Sequence, residues 1–293
     1  MIIIGERINS SRSQIAKAIG ERNTDFIAHE ANLQADLGAQ YLDVNCAAGL
    51  DKEIEDLEWV IKTIRKATTT PICLDSPNLE ALEAGVSLLA GEPVFINSIT
   101  AELDKLNQII PLLKKRDDLR VIALTLDERG VPKTVLERIE NGQKIIEFFK
   151  KQNINPERLF FDFLVQPLST QQEQAAIFLE TLKQAKQLSW NTVCGLSNIS
   201  FGLPRRTVLN AAFLVSAVAS GLDAAIIDPT DSVMTEMLAA MEVILSRDNY
   251  CLNYIKKMKK KIYEYKSIHC RHAAKRRQNH SKLGSDLLLK EDF

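Results

Sequence analysis

Short apolar runs separated by longer amphipathic segments recur along most of the chain. Eight runs are apolar enough to be buried strands: residues 2–8, 41–47, 71–76, 93–100, 120–127, 159–165, 192–200 and 224–229. Between them, apolar positions recur every three or four residues, as in the series Val135, Ile139, Gly142, Ile146, Phe149 and the series Leu103, Leu106, Ile110, Leu113. This spacing predicts helices, so strand and helix alternate.

Strands that are apolar almost throughout are typical of a parallel sheet covered by helices. Eight strand–helix repeats in about 250 residues match the size of a (β/α)8 barrel, or TIM barrel. An open doubly wound sheet is the alternative, but its dinucleotide-binding form would place GxGxxG after the first strand. Here that strand ends in GERIN, residues 5–9. The pattern therefore favours a barrel, which we expect to occupy residues 1–255.

Composition places the chain among globular proteins. It has 293 residues, of which 45% are hydrophobic, and its longest nearly apolar run, residues 211–222, is too short to span a bilayer. Its five cysteines form no CxxC pair, which favours reduced thiols over a disulfide framework. We therefore expect a cytoplasmic protein with no membrane partner.

Charge divides the chain unevenly, although the net charge is only −1. Residues 256–293 carry 12 Lys and Arg against 4 Asp and Glu, which leaves 25 against 34 for the rest. We interpret this stretch as a basic C-terminal extension, helical and then disordered. A patch for nucleic acid or an acidic partner is the alternative, but a solvated end is favoured and no nucleic-acid partner is expected. The HCRH run at 269–272 lacks a second cluster to complete a zinc site.

Polar side chains close seven of the eight predicted strands. They are Glu6 and Asn9; Asp43 and Asn45; Asp75, Ser76 and Asn78; Asn97 and Ser98; Asp162; Ser197, Asn198 and Ser200; and Asp228. One such residue is more often a helix cap. Repetition on so many strands predicts a site at the carboxyl end of the barrel, where barrel enzymes place their active sites.

The types of these polar residues restrict the chemistry. Five carboxylates could hold Mg²⁺, but amides are almost as frequent, and we expect no bound metal. No Lys ends a strand to form a Schiff base, and no His ends one to bind zinc. The glycine-rich phosphate cradle is also missing, which disfavours phosphorylated substrates. Carboxylates mixed with amides suit a flat heterocycle whose edge alternates donors and acceptors, such as a pterin.

Six motifs resemble those of the pterin-binding methyltransferase family: GERIN (5–9), LDVNCA (42–47), CLDSPN (73–78), INSIT (96–100), FDFLVQP (161–167) and GLSNISFGLP (195–204), followed by Arg205 and Arg206. The family includes the methyltetrahydrofolate:corrinoid/iron–sulfur protein methyltransferase and the folate domain of cobalamin-dependent methionine synthase. The resemblance runs in the same order from residue 1 to about residue 255. It implies a TIM barrel like that of dihydropteroate synthase.

The resemblance also implies an activity: transfer of the N5 methyl group between methyltetrahydrofolate and the cobalt of a corrinoid. Asp75, Asn97 and Asp162 would hold the pterin ring, and Arg206 would lie at the rim. Asn198 would be the catalytic residue, because its amide can support N5 or a water molecule as the methyl group leaves. Glu6, Asp43 and Ser197, from the same strand ends, belong to the expected pocket.

The corrinoid is expected on a separate protein. None of the histidines (His29, His269, His272 and His280) stands in the Asp-x-His-x-x-Gly context by which many corrinoid proteins bind their cofactor. The resemblance further implies a homodimer. It leaves open the direction of transfer and the choice between folate and methanopterin.

Two other functions remain open from the sequence. One is a different pterin reaction, although dihydropteroate synthases carry Ser-Arg-Lys on the seventh strand where this chain has Ser197, Asn198 and Ile199. The other is a non-catalytic folate-binding subunit, in which Asn198 would have no effect on any rate.

Overall fold

A closed barrel of eight parallel strands forms the centre of the computed structural model, which describes residues 1–48 and 52–259. The strands are β1 Ile2–Asn9, β2 Tyr41–Asn45, β3 Ile72–Asp75, β4 Val94–Ile99, β5 Arg120–Leu124, β6 Leu159–Asp162, β7 Asn191–Gly195 and β8 Ala224–Ile227. They pair in chain order, and β1 pairs with β8 to close the barrel. The predicted barrel and its eight strands are confirmed.

Helices connect the strands. They are α1 Ser13–Gly20, α2 Thr24–Asp36, α3 Glu53–Ala67, α4 Leu79–Leu88, α5 Leu103–Lys115, α6 Val135–Lys151, α7 Gln174–Gln187, α8 Arg206–Ala219 and α9 Ser232–Ile244. The two apolar series found in the sequence lie in α5 and α6. Helix α6 begins with a capping box, in which Thr134 and Glu137 bond each other's backbone N–H groups.

One buried side chain from each strand packs into a layer across the barrel. The layer consists of Ile4, Tyr41, Cys73, Phe95, Ile122, Phe160, Val193 and Ala224. The ring centroids of Tyr41 and Phe95 lie 4.7 Å apart, and those of Phe95 and Phe160 lie 4.9 Å apart, in edge-to-face contact. This core layer fills the barrel interior beneath the polar residues that end the strands.

The seventh strand is shorter than predicted. It ends at Gly195, and Leu196–Ser200 form a 3-10 helix, so the prediction that 192–200 is one strand is wrong. The physical reason is local bonding. Arg206 donates from Nη2 to the Ser197 carbonyl at 2.7 Å and from Nε to Ser200 Oγ at 3.0 Å, which turns this segment away from the sheet.

The described residues divide into two compact units, one of them Met1–Thr235 and the other beginning at Glu236. All eight strands belong to the first. The boundary at residue 255 stays a prediction, and most of the basic extension, including HCRH and Cys270, lies outside the described residues. Of the cysteines that are described, Cys46, Cys73 and Cys194 are buried free thiols. None of the helices in residues 1–48 and 52–259 has the length and hydrophobicity of a transmembrane span.

Candidate active site

A second layer of side chains lies directly above the core layer. Alternate residues of a strand face the same side, so the residue two positions after each core residue also points into the barrel. These residues are Glu6, Asp43, Asp75, Asn97, Leu124, Asp162, Gly195 and Ile226. Five of them are acids or an amide that the sequence singled out. We call this set the polar layer.

Two acid–amide hydrogen bonds join three strands of the polar layer. Asn97 Nδ2 donates to Asp43 Oδ1 at 3.2 Å, and Asn45 Nδ2 donates to Asp75 Oδ2 at 3.1 Å. Asn45 is itself fixed, because its Oδ1 accepts from Ser10 Oγ at 3.0 Å and from the Ala47 N–H at 3.1 Å. The side chains are therefore held in place before any ligand arrives.

Asp75 and Asn97 line a cavity of about 320 Å³ at the carboxyl ends of β3 and β4, next to α4 and α5. Leu124 gives this cavity an apolar wall, while Lys105 and Gln108 reach it from α5. The volume is at the lower end of the range for small-molecule sites and suits a bicyclic ring. Sequence reasoning missed Lys105 and Gln108, since both are polar positions on a helix with no local signal.

Burial raises the pKa of the carboxyl groups in the polar layer. The pKa of Asp43 is raised by burial and then by the charge of Asp75, and burial also raises the pKa of Asp75. Because the charge of Asp75 disfavours ionisation of the more deeply buried Asp43, Asp43 keeps its proton to a higher pH than Asp75 does. The pair can therefore accept hydrogen bonds through one acid while the other stays neutral.

Asp162 lies apart from that pair, at the end of β6. The Leu164 N–H donates to its Oδ1 at 2.7 Å, and the Gly195 N–H donates to it as well. Leu164 has φ of 65°, an uncommon backbone conformation for this residue type that turns its N–H towards the carboxylate. Burial still raises the pKa of Asp162 to about 6. The residue is mostly ionised at neutral pH and oriented by backbone groups.

Asn198 lies on the 3-10 helix that follows β7. Its side chain is exposed, and among the described residues none hydrogen-bonds its amide. The amide lies over Gly195, where a Cβ would be 3.4 Å from Asn198 Nδ2. Arg206 was expected at the rim of the site. Its side chain is exposed, and its hydrogen bonds to Ser197 and Ser200 fix the 3-10 helix that carries Asn198. The amide is thus positioned and free to bind a ligand.

Glu6, Ser197 and Arg206 line a separate cleft of about 490 Å³ next to β8. Ser197 Oγ donates to both oxygens of Glu6 at 3.1 Å, and burial raises the pKa of this acid. Asp228, in the same cleft, accepts from Arg7 Nη1 at 3.0 Å. The candidate residues therefore lie in three places. Asp75 and Asn97 line the cavity of about 320 Å³, Asp43 and Asp162 are buried acids, and Glu6, Ser197 and Arg206 line this cleft.

Two of the polar strand ends serve local turns instead. Asn9 Oδ1 accepts from the Ser11 N–H at 2.9 Å, and Asn78 caps α4 by accepting from the Glu80 N–H at 3.0 Å. Within the described ranges, no group of three or more His, Cys, Asp or Glu side chains is arranged to hold a metal ion. The expected absence of a metal stays a prediction.

The chain belongs to the pterin-binding enzyme family, whose model matches residues 5–228. It is 35% identical over 259 residues to the methylcorrinoid:tetrahydrofolate methyltransferase of Eubacterium limosum, covering 87% of this chain and 95% of that protein. It is 30% identical over 243 residues to the methionine synthase of Mycobacterium leprae, covering 78% of this chain and 20% of the synthase. The family resemblance inferred from the motifs is confirmed.

Solved structures support the same fold. A dihydropteroate synthase from Clostridium difficile superposes with a TM-score of 0.62 at 18% identity, covering 83% of this chain and 96% of that one. The Yersinia pestis dihydropteroate synthase gives 0.61 at 16% identity, covering 84% and 93%. At this identity the likeness concerns the fold.

Proposed function

We propose that this protein transfers a methyl group between N5 of a tetrahydrofolate and the cobalt of a corrinoid carried by another protein. The observation that supports the proposal is the unbonded amide of Asn198, which follows β7 and lies beside Gly195 of the polar layer. The similarity to a methylcorrinoid:tetrahydrofolate methyltransferase over nearly its whole length supports this reaction over other pterin chemistry.

The polar layer would bind the pterin by its hydrogen-bonding edge. Asp75 and Asp162 would accept from ring N–H and amino groups, and Asn97 would both donate and accept. Leu124 would lie against the ring. Because acid–amide bonds fix Asp75 and Asn97, and the Leu164 N–H fixes Asp162, little ordering entropy is lost on binding.

Asn198 would act where charge changes during the reaction. When the methyl group leaves N5, the carbon–nitrogen bond breaks, the nitrogen keeps the electron pair and takes a proton, and Co(I) supplies the pair for the new bond. An amide that bonds a protonated N5, or a water beside it, stabilises this step if the bond strengthens in the transition state. The reverse reaction uses the same contacts.

Single-turnover methyl transfer at saturating methyltetrahydrofolate with free cob(I)alamin tests this role. We expect Asn198→Ala to lower the transfer rate roughly 10- to 1000-fold, with a smaller effect on folate affinity. Asn198→Asp should restore part of the rate and add a pH dependence. Asn78→Ala is the matched control, because it removes a strand-end amide that only caps α4.

No methyl transfer by the wild-type protein would exclude the proposed reaction and favour another pterin reaction. A wild-type rate in Asn198→Ala would exclude only the catalytic role of Asn198 and make this residue structural. Folate binding without any transfer would favour the non-catalytic subunit.

We also propose a cytoplasmic homodimer that works with a separate corrinoid protein, which co-purification and sedimentation would test.

A further inference from the structure

The cleft of about 490 Å³ beside β8 contacts no part of the substrate in the function proposed above. Strands β7, β8 and β1 surround this cleft, since Ser197 follows β7, Asp228 follows β8 and Glu6 belongs to β1. In the closed barrel these three strands lie across from β3 and β4, which carry Asp75 and Asn97. The cleft and the Asp75 cavity are therefore on opposite sides of the barrel mouth.

The covalent structure of a tetrahydrofolate directs its tail towards the cleft. The donors that Asp75 and Asn97 would bind belong to the pyrimidine ring of the pterin, whereas N5 and C6 belong to the second ring. C6 is bonded to N5 and carries the tail, a p-aminobenzoyl group joined through an amide bond to glutamate. When N5 lies beside Asn198, which follows β7, C6 and the tail are at the side of the mouth that β7, β8 and β1 form.

Asn210 is a polar side chain of this cleft that lacks a hydrogen-bond partner. It is only 7% exposed, and its Oδ1 is buried with no donor to it in the part of the chain that the structure describes. Asn210 lies on α8 one helical turn after Arg206, and both side chains line the cleft. An unbonded buried acceptor destabilises the folded protein, and an apolar residue would avoid that cost. The amide of Asn210 is therefore suited to an N–H group that a ligand brings.

Arg206 supplies a positive charge on the same face of α8. Its Nε and Nη2 donate to Ser200 Oγ and to the Ser197 carbonyl, which are both neutral. No carboxylate within residues 1–48 and 52–259 forms an ion pair with it. Helix α8 begins at Arg206 with no acidic residue in its first turn and no side-chain cap. The guanidinium and the positive end of the helix dipole both favour an anion at this place.

The acids of the cleft already have partners of their own. Glu6 lies 3.5 Å from Arg12, and Asp228 forms an ion pair with Arg7 at 3.0 Å. Asp231 accepts from two backbone N–H groups at the start of α9. Their negative charges are therefore compensated locally, and the charge of Arg206 remains available to a ligand.

We propose that this cleft binds the p-aminobenzoyl-glutamate tail of the folate. Asn210 accepts the N–H of the amide bond in the tail, and Arg206 binds a glutamate carboxylate. Val233 and Met234, which also line the cleft, give the aromatic ring an apolar contact. The inference rests on the proposed function and adds a second binding site for the same substrate. An amide N–H close to a carboxylate is then the feature that selects a folate over a pterin whose tail lacks these groups.

Calorimetry on the wild-type protein tests the inference with three ligands: methyltetrahydrofolate, its glutamate dimethyl ester and a methyltetrahydropterin without a tail. The tail-less pterin should bind roughly 10-fold or more weakly than the folate, because it makes neither contact. The ester keeps the amide N–H but has no carboxylate, so its affinity should lie between the other two. Added NaCl should narrow the difference between folate and ester, since Arg206 is exposed and its attraction to a carboxylate is screened.

Asn210→Leu removes the acceptor with little change in volume. It should weaken binding of the folate and of the ester roughly 5- to 10-fold and leave the affinity for the tail-less pterin unchanged. Thermal melts of the ligand-free variant should show equal or higher stability, because the unpaired buried acceptor is gone. Asn107→Leu is the control. Asn107 is an exposed residue of α5 that lines neither the Asp75 cavity nor the cleft, so all three affinities should match the wild type.

Three results would overturn the inference. The first is equal affinity of the wild type for the folate and the tail-less pterin, a comparison that needs no variant to fold. The second is an equal loss for all three ligands in Asn210→Leu. The third is a loss of hydroxocobalamin affinity in Asn210→Leu with folate affinity unchanged, which would assign the cleft to the corrinoid. Failure of the wild type to bind either the folate or the tail-less pterin would instead refute the proposed function.

Discussion

Asp75→Asn isolates the contribution of one carboxylate to ligand binding with little change in shape. Asp75 accepts a hydrogen bond from Asn45 and lines the cavity. The new amide oxygen can still accept from Asn45, so the free energy of unfolding should change by no more than about 1 kcal/mol. Its NH2 group, however, cannot accept the pterin N–H donors that the carboxylate would bind.

The expected loss follows from those donors. A hydrogen bond to a charged group contributes about 1.5 to 3 kcal/mol, and an unpaired buried donor adds a penalty. We expect a loss of about 2 to 4 kcal/mol, which corresponds to a roughly 30- to 700-fold weaker Kd for folate. Calorimetry at about pH 8 is the assay, because Asp75 is ionised there although burial raises its pKa.

Asp127→Asn is the control for removal of a buried carboxylate. Asp127 also follows a strand, but its carboxylate is bonded to Arg129 at 2.7 Å and does not line the Asp75 cavity. This change should reduce stability and leave folate affinity unchanged. Wild-type affinity in a correctly folded Asp75→Asn protein would refute the assignment of this cavity as the pterin site.

Three further outcomes are expected. The free energy of unfolding of the ligand-free protein should fall as the pH rises from about 5 to 8.5. The reason is that burial raises the pKa of Asp43, so the native state holds a proton that the unfolded state releases. Thermal melts of Asp43→Asn should show a weaker dependence of stability on pH. Gly142→Ala should lower the free energy of unfolding, measured with denaturant, by about 1 to 3 kcal/mol, because the added Cβ would lie 2.5 Å from Trp190. Gly20→Ala is the control: its Cβ would meet no atom within 4 Å, so it should have little effect. Truncation after residue 255 should leave calorimetric folate affinity intact, since every strand precedes that point.

The sequence predicts the barrel well because strand burial is a local property. Most strand residues on the face towards the helices are apolar, and on five strands the inward-facing residue of the second layer is polar. This explains why Asp43, Asp75, Asn97 and Asp162 could be identified as a group: each follows a buried core residue by two positions. Gly142 was also correctly placed on the inner face of a helix, where it meets Trp190.

The residues that sequence reasoning missed depend on contacts between distant segments. The 3-10 helix after β7 is fixed by Arg206, whose bonds to Ser197 and Ser200 have no signature in local hydrophobicity. Arg138 lies in a helix where an arginine would ordinarily be assigned to the surface, yet it is buried. The bridging role of Asn45 likewise requires β3 as a neighbour.

The acid–amide bonds of the polar layer have a consequence for how this site can change over evolutionary time. Asp43 depends on Asn97 and Asp75 on Asn45, and each bond needs one donor and one acceptor. Replacing Asn97 by an acid removes the donor of its bond, and an amide at residue 43 would restore a donor. Such positions should vary in pairs among relatives, so a change in ligand preference would require two coordinated mutations on different strands.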